Sequence, residues 1–327
     1  MAIKLTDLFA RVPPEVEARV RRARDQARPA VQEALRAECR LVLRTAEETE
    51  QKRPGAQVPI EIAPGYPAVL KEIEFPDDIE RIMLLGRYRA SLEQTRDAIP
   101  GLLQLRDALV RRNEPESLLA ATVPQLQSVA AWAARLLDIL DKHDPLKRVL
   151  SVREDFLGVY EYDARGLFVD EHAANRATIR LYWGVIGLVS EWLGCSVEDL
   201  TAVVLTHELA HAYTQLGADI EGRRWAAPSF AKAETALKEG LAQYYTDRVL
   251  RRLERRHGGA LNVFLKMLPH QPAAYRSHEV WVKDFSPEAV RRAMLEVRRW
   301  NEGKLENFSD RVKAAQSGLS PEAREDS

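Results

Sequence analysis

Apolar positions recur at helical spacing over most of this chain, and the exceptions are confined to two stretches. From Pro14 to about Lys52, Val16, Val20, Ala23, Ala27, Ala30, Ala34, Ala37 and Leu41 follow alternating steps of four and three. That spacing predicts one long helix with a seam of mostly small residues, which permits close helix contact. Pro29 lies inside it and is expected to kink it. Residues 53–67, "RPGAQVPIEIAPGYP", hold four prolines with Gly55 and Gly65 and predict a loop or extended linker. Helical spacing resumes over about 77–98, 101–112 and 124–142. In the last of these Leu126, Val129, Ala130, Ala133, Leu136, Leu137 and Leu140 form a continuous face.

Near residue 149 the pattern changes to alternation. "GVYEYD" (158–163) and "GLFVDE" (166–171) predict a strand pair, and "ATIRLYWG" (177–184) a third strand. An apolar helix is expected around 185–193, broken at Gly194. Ser196 with Asp199 then predicts a capped start for a helix of roughly twenty residues, and Gly217 its stop. A further helix is expected over about 229–255, and Ser286-Pro287-Glu288 opens one that reaches about Trp300. The pattern therefore predicts a predominantly α-helical α+β protein. Residues 1–148 form a helical N-terminal region, 149–310 a domain with a small sheet, and 311–327 a disordered tail.

Composition narrows the function classes. Forty-eight basic and forty-nine acidic side chains leave a net charge of −1, which argues against nucleic-acid binding by phosphate neutralisation. Cys39 and Cys195 are too few for a disulfide framework, so a reducing, cytoplasmic setting is expected. No signal peptide and no membrane-spanning window of eighteen apolar residues is expected.

One apolar stretch carries chemistry. "VVLTHELAHAY" (203–213) places His207 and His211 four apart, with Glu208 directly after the first. On a helix, positions four apart differ by about 40° of rotation and one turn of rise, so both imidazoles project together. They can take two corners of a zinc tetrahedron. Glu208 lies about 100° further round, beside the water that such a metal acidifies. With this chain's composition, a His-acid-x-x-His pattern arises by accident about 0.02 times. A catalytic zinc needs a third protein ligand and an open position. Asp219, Glu221, Glu234 and Glu239 are the candidates, and Glu239, opening "EGLAQYY" on the next long helix, fits best. The metzincin extension is excluded, because Thr214 and Gly217 stand where its glycine and histidine belong. Gly240 and Ala242 are small residues expected to let the two helices approach.

"VVLTHELAHAY" followed by "EGLAQYY" resembles the gluzincin metallopeptidases, the family of the thermolysin-like enzymes and the compact minigluzincins. The resemblance covers roughly residues 150–255. It implies a zincin-like core, one zinc per chain held by His207, His211 and Glu239, and Glu208 as general base. It also implies that "TIRLYWG" is the sheet edge lining the cleft, where an extended peptide pairs its backbone. A further hydrogen-bond donor for the developing oxyanion is implied, and Tyr275 or His278 in "LPHQPAAYRSHEVW" would supply it. Thermolysin-like enzymes carry an aspartate where Gln243 stands, so the shell behind the ligands differs here. The "GxMEN" motif of the large aminopeptidases is absent, which favours endopeptidase or small-peptide action. Residues 1–148 resemble no gluzincin module.

The expected activity is hydrolysis of peptide or protein substrates by a water that Glu208 deprotonates. The alternative is a degenerate zincin-like unit acting as a protein-binding module. Tyr213, Tyr244 and Tyr245 are expected in the core, Cys39 as a buried thiol, and Arg251, Arg252, Arg255 and Arg256 as a solvated helix end.

Overall fold

The computed structural model describes residues 2–43, 58–86, 88–110, 116–150, 156–162 and 177–318. The protein is mostly helical with a small sheet. The strands among these residues are β1 (Ile3–Lys4), β2 (Ile60–Ala63), β3 (Glu74–Phe75), β4 (Gly158–Tyr162) and β5 (Ala177–Tyr182). The chain divides into two compact units: Met1–Leu5 with Glu72–Val149, and Thr6–Lys71 with the chain from Leu150 onward. No helix of the described residues is long and apolar enough to cross a membrane.

In the first unit β1 pairs antiparallel with β3, and helices Arg89–Val110 and Glu116–Lys142 pack against each other. The break expected near Gly101 is absent: the helix runs through with Pro100 inside it. Of the face predicted over 126–140, Ala133, Leu137 and Leu140 are buried, whereas Val129 is 45% exposed.

The second unit is built around the helix Val197–Leu216, which carries "HELAH". The long N-terminal helix, Glu15–Cys39, packs along it. Its buried stripe begins as predicted with Val16, Val20, Ala23 and Ala27 and then passes through Val31, Ala34, Leu35 and Cys39, leaving Ala37 exposed. A straight helix of 3.6 residues per turn drifts off a seven-residue repeat in this way, so the seam serves this contact and not a supercoil. The helix ends at Arg40, whose φ is 54°. The predicted continuation over 44–52 lies outside the described residues.

The stretch expected as a linker contains β2, which pairs in parallel with β5, Ile60 opposite Ile179. The flanking Pro59 and Pro64 hid a strand that lies on an edge, where a missing N–H is tolerated. β4 pairs antiparallel with β5, so the sheet order is β2-β5-β4. "TIRLYWG" is therefore the central strand, and among the described residues β2 and β4 form the two edges of the sheet. The partner expected for β4 at 166–171 lies outside the described residues.

Further along, the expected helix over 229–255 is divided into Ala227–Lys232 and Thr235–Arg252. Glu234 sits at the break because it docks another segment: its N–H donates to the Gly303 carbonyl at 2.8 Å and its side chain accepts from Leu305 N at 2.9 Å. Ser286 accepts from Ala289 N at 3.2 Å and starts the helix Pro287–Trp300 as predicted. The helix Leu305–Ser317 runs into the stretch expected as tail, with Phe308, Val312 and Ala315 buried. Residues from 319 on lie outside the described ones.

Candidate metal centre

The motif helix is positioned from its first residue. Asp199 N–H donates to Ser196 Oγ at 3.0 Å, and the Ser196 hydroxyl donates back to the Asp199 carboxylate at 2.6 Å. Such a cap stabilises a helix start by about 1 kcal/mol. From Leu200 to Leu216 every side chain is buried, so this helix is surrounded by neighbours on all faces. Its threonines meet that burial by bonding backwards: Thr201 to the Val197 carbonyl at 2.7 Å, Thr206 to Ala202 at 2.7 Å and Thr214 to Ala210 at 2.9 Å. Gly217 caps its end, its N–H donating to the Tyr213 carbonyl at 3.0 Å, and there is no room for a side chain, since a Cβ there would lie 2.8 Å from Leu41 Cβ.

The helix Thr235–Arg252 packs against the motif helix and brings Glu239 to the two histidines. His207 Nε2 and His211 Nε2 lie 3.2 Å apart. Glu239 Oε2 is 3.3 Å from the first and 3.2 Å from the second. All three side chains are buried, and together they could hold a metal ion. Donors at these separations form one face of a tetrahedron whose centre lies about 2.0 Å from each corner, the bond length of imidazole and carboxylate ligands to zinc. Burial alone would raise the Glu239 carboxyl, but the charge of His211 and hydrogen bonds with both imidazoles outweigh it. Glu239 is held well below the usual carboxylate range.

The other candidates for the third position are engaged elsewhere. Asp219 Oδ1 accepts from Glu221 N at 2.9 Å and Arg223 N at 2.8 Å, closing a loop. Glu221 pairs with Arg223 at 2.7 Å, and Glu234 docks residues 303–305. Gly240 does not ease the approach of the two metal-site helices. Its close neighbours are Ser277 and Trp281, both of which a Cβ would clash with.

Glu208 is 1% exposed and lines, with His207, a cleft of about 510 Å³. Leu157, Val203, Val204, Phe264 and Met267 make most of its wall apolar, and Gln243, Gln271 and Tyr275 complete one side. Gln243 donates to Gln271 at 3.1 Å. Tyr275 stacks on His207, ring centroids 5.9 Å apart. His278 is placed differently: it is 2% exposed, with Nδ1 2.8 Å from the Tyr275 carbonyl oxygen, and it is not among the residues lining the cleft. As expected, Tyr213, Tyr244 and Tyr245 are core residues, and burial pushes the Cys39 thiol up to about 12.

β4 forms where the pattern of "GVYEYD" predicts a strand, but its place beside the metal centre is not anticipated there. Gly158, Tyr160 and Tyr162 share one face of that strand by simple alternation. Tyr160 stacks on His211 at 6.2 Å and on Tyr162 at 5.6 Å. Tyr162 is half-buried, and its phenol is raised by burial and then by the charge of Glu239. Tyr182 N–H donates to the Leu157 carbonyl at 3.0 Å, and Gly158 sits opposite Leu181. In that register the N–H and C=O groups of Gly158, Tyr160 and Tyr162 point away from β5. Tyr160 and Tyr162 thus belong both to this edge strand and to the surroundings of the donor triangle, while Gly158 lies against Val204 and Glu208. The period-2 pattern in "GVYEY" carried this signal, but nothing in it said which face meets the motif helix.

No protein-family model, curated protein or solved structure matches the chain.

Proposed function

We propose that this protein is a zinc-dependent peptidase with a zincin-like core, in which His207, His211 and Glu239 hold the metal. The observation that carries the reading is the donor triangle of two imidazoles and one carboxylate at 3.2–3.3 Å, with a buried glutamate on the same helical turn. Two nitrogens and one oxygen at tetrahedral spacing suit zinc better than the oxygen-seeking divalent cations. Bound there, zinc supplies Lewis acidity, which acidifies a water and polarises a carbonyl.

The remaining chemistry belongs to the chain's own side chains. Glu208 takes the proton of the attacking water and passes it to the leaving amine. Tyr275, stacked on His207 in the cleft wall, donates its phenolic proton in a hydrogen bond to the oxyanion. His278 supports the Tyr275 backbone from behind. The outward-facing backbone groups of β4 pair with an extended peptide, an interaction with little demand on its sequence. The apolar wall excludes water and receives an apolar side chain.

Glu208→Gln tests the reading. Elemental analysis is expected to find one zinc per chain in the variant, while cleavage of casein or of a quenched peptide library falls about 10²–10⁴-fold. Full activity in that variant would overturn the mechanism. Stoichiometric zinc in the wild type with no cleavage of either substrate would favour a binding module.

A further inference from the structure

Gly158 opens the edge strand, and its place on that strand is unusual. The residues that follow it on the same face are Tyr160 and Tyr162, both bulky and both turned toward the metal centre. A glycine inside a strand gives up side-chain packing and ordering entropy, so it calls for a reason. Backbone conformation does not supply one, because Gly158 is not among the described glycines with positive φ, which are Gly65, Gly194 and Gly222. Space does. A Cβ at Gly158 would lie 2.8 Å from Val204 Cγ1 and 3.0 Å from both Cγ and Oε1 of Glu208.

One of those neighbours would have to move, and they are not equally free. Val204 is β-branched on a helix, where a single χ1 rotamer dominates, and it is 4% exposed. Glu208 has three rotatable bonds, and its carboxylate borders the cleft. Val204, the closer contact at 2.8 Å, has no other rotamer to take, so an added methyl is pushed off it toward Glu208, whose flexible side chain then gives way.

We propose that Gly158 is a positioning residue for Glu208: the missing side chain on the edge strand leaves the space that the Glu208 side chain fills beside His207 in the cleft. The role rests on the peptidase reading for its consequence, but the placement can be tested without turnover. Any side chain at 158 swings the carboxylate out of the cleft while leaving the donor triangle on its two helices intact.

The test uses the full zinc-loaded chain carrying Gly158→Ala. Metal content is expected to stay at one per chain. The kcat on a quenched peptide is expected to fall about 100-fold, the scale of a misplacement near 1 Å. KM is expected to change by less than about three-fold, as for an interaction used only in the transition state. The double variant Gly158→Ala/Val204→Ala relieves the closest contact and is expected to recover about ten-fold, with Val204→Ala as its control. A crystal structure of Gly158→Ala is expected to show Glu208 in a different rotamer. Glu208 unmoved, with Val204 or β4 displaced in its place, overturns the proposal, as does wild-type kcat in the variant. If the wild type cleaves no peptide, the peptidase reading falls, and the Glu208 rotamer still decides the placement.

Discussion

The ring of Tyr160 runs parallel to the imidazole of His211, with centroids 6.2 Å apart and planes within 8°. Its hydroxyl donates to Gln215 Oε1 at 2.6 Å, one turn further along the same helix. Burial raises the phenol well above its ordinary value, so it remains a donor. A single strand residue thus fixes the orientation of one candidate ligand and ties β4 to the helix that carries it. Partners of this kind hold a ligand imidazole in place before any metal arrives.

Tyr160→Phe separates the two contacts. The ring stays, while Gln215 Oε1 loses its donor inside the protein, which costs about 1–3 kcal/mol. Urea unfolding of the metal-free protein is expected to register that loss, with zinc affinity within a few-fold of wild type. Tyr160→Ala removes the ring as well, and competition with a chelator is expected to show about 10–100-fold weaker zinc binding. Equal affinity in both variants would mean that the stacking does not orient His211.

The donor triangle makes its own prediction about metal. His207→Ala, His211→Ala and Glu239→Ala are each expected to abolish stoichiometric zinc, whereas Glu221→Ala and Glu234→Ala retain it. An ion that binds only the folded chain stabilises it, by about 2.7 kcal/mol at a hundred times its dissociation constant. EDTA is therefore expected to lower the melting temperature of the wild type and to leave that of Glu239→Ala unchanged. Zinc in the Glu239→Ala protein at one per chain would remove Glu239 from the site.

Much of the site was legible because its signals are local. The spacing of His207 and His211, the Ser196 cap and the Gly217 stop are all properties of one helix. Glu239 was reachable because one helix follows another after a loop of ordinary length. The sheet was harder. β2 carries Pro59 before it and Pro64 after it, and its partner β5 lies more than a hundred residues away, so local pattern reads it as a linker. Among the described residues the same non-local pairing put β5 in the centre and β4 on an edge, the place expected for β5. Gly158 was invisible for a different reason: a glycine that leaves room for a distant side chain looks in sequence like any other strand breaker.

His278 offers a pH test apart from the metal ligands. It is 2% exposed, and burial lowers its pKa from the ordinary 6.5, with the bond to the Tyr275 carbonyl opposing that shift. Because a carbonyl only accepts, Nδ1 carries the proton in the neutral ring. A histidine whose folded pKa is depressed binds its proton first in the unfolded chain. Its contribution to stability is therefore complete above pH 6.5 and is lost as pH falls below that value toward the folded pKa. The slope cannot exceed about 1.4 kcal/mol per pH unit for one group. His278→Gln keeps an amide donor for Tyr275 and has no proton to gain. Urea midpoints of the metal-free proteins, compared between about pH 7.5 and 5.5, are expected to fall further for wild type than for the variant. Parallel curves would show that His278 gains its proton as readily in the folded chain as in the unfolded one, and that its burial behind Tyr275 leaves it open to water.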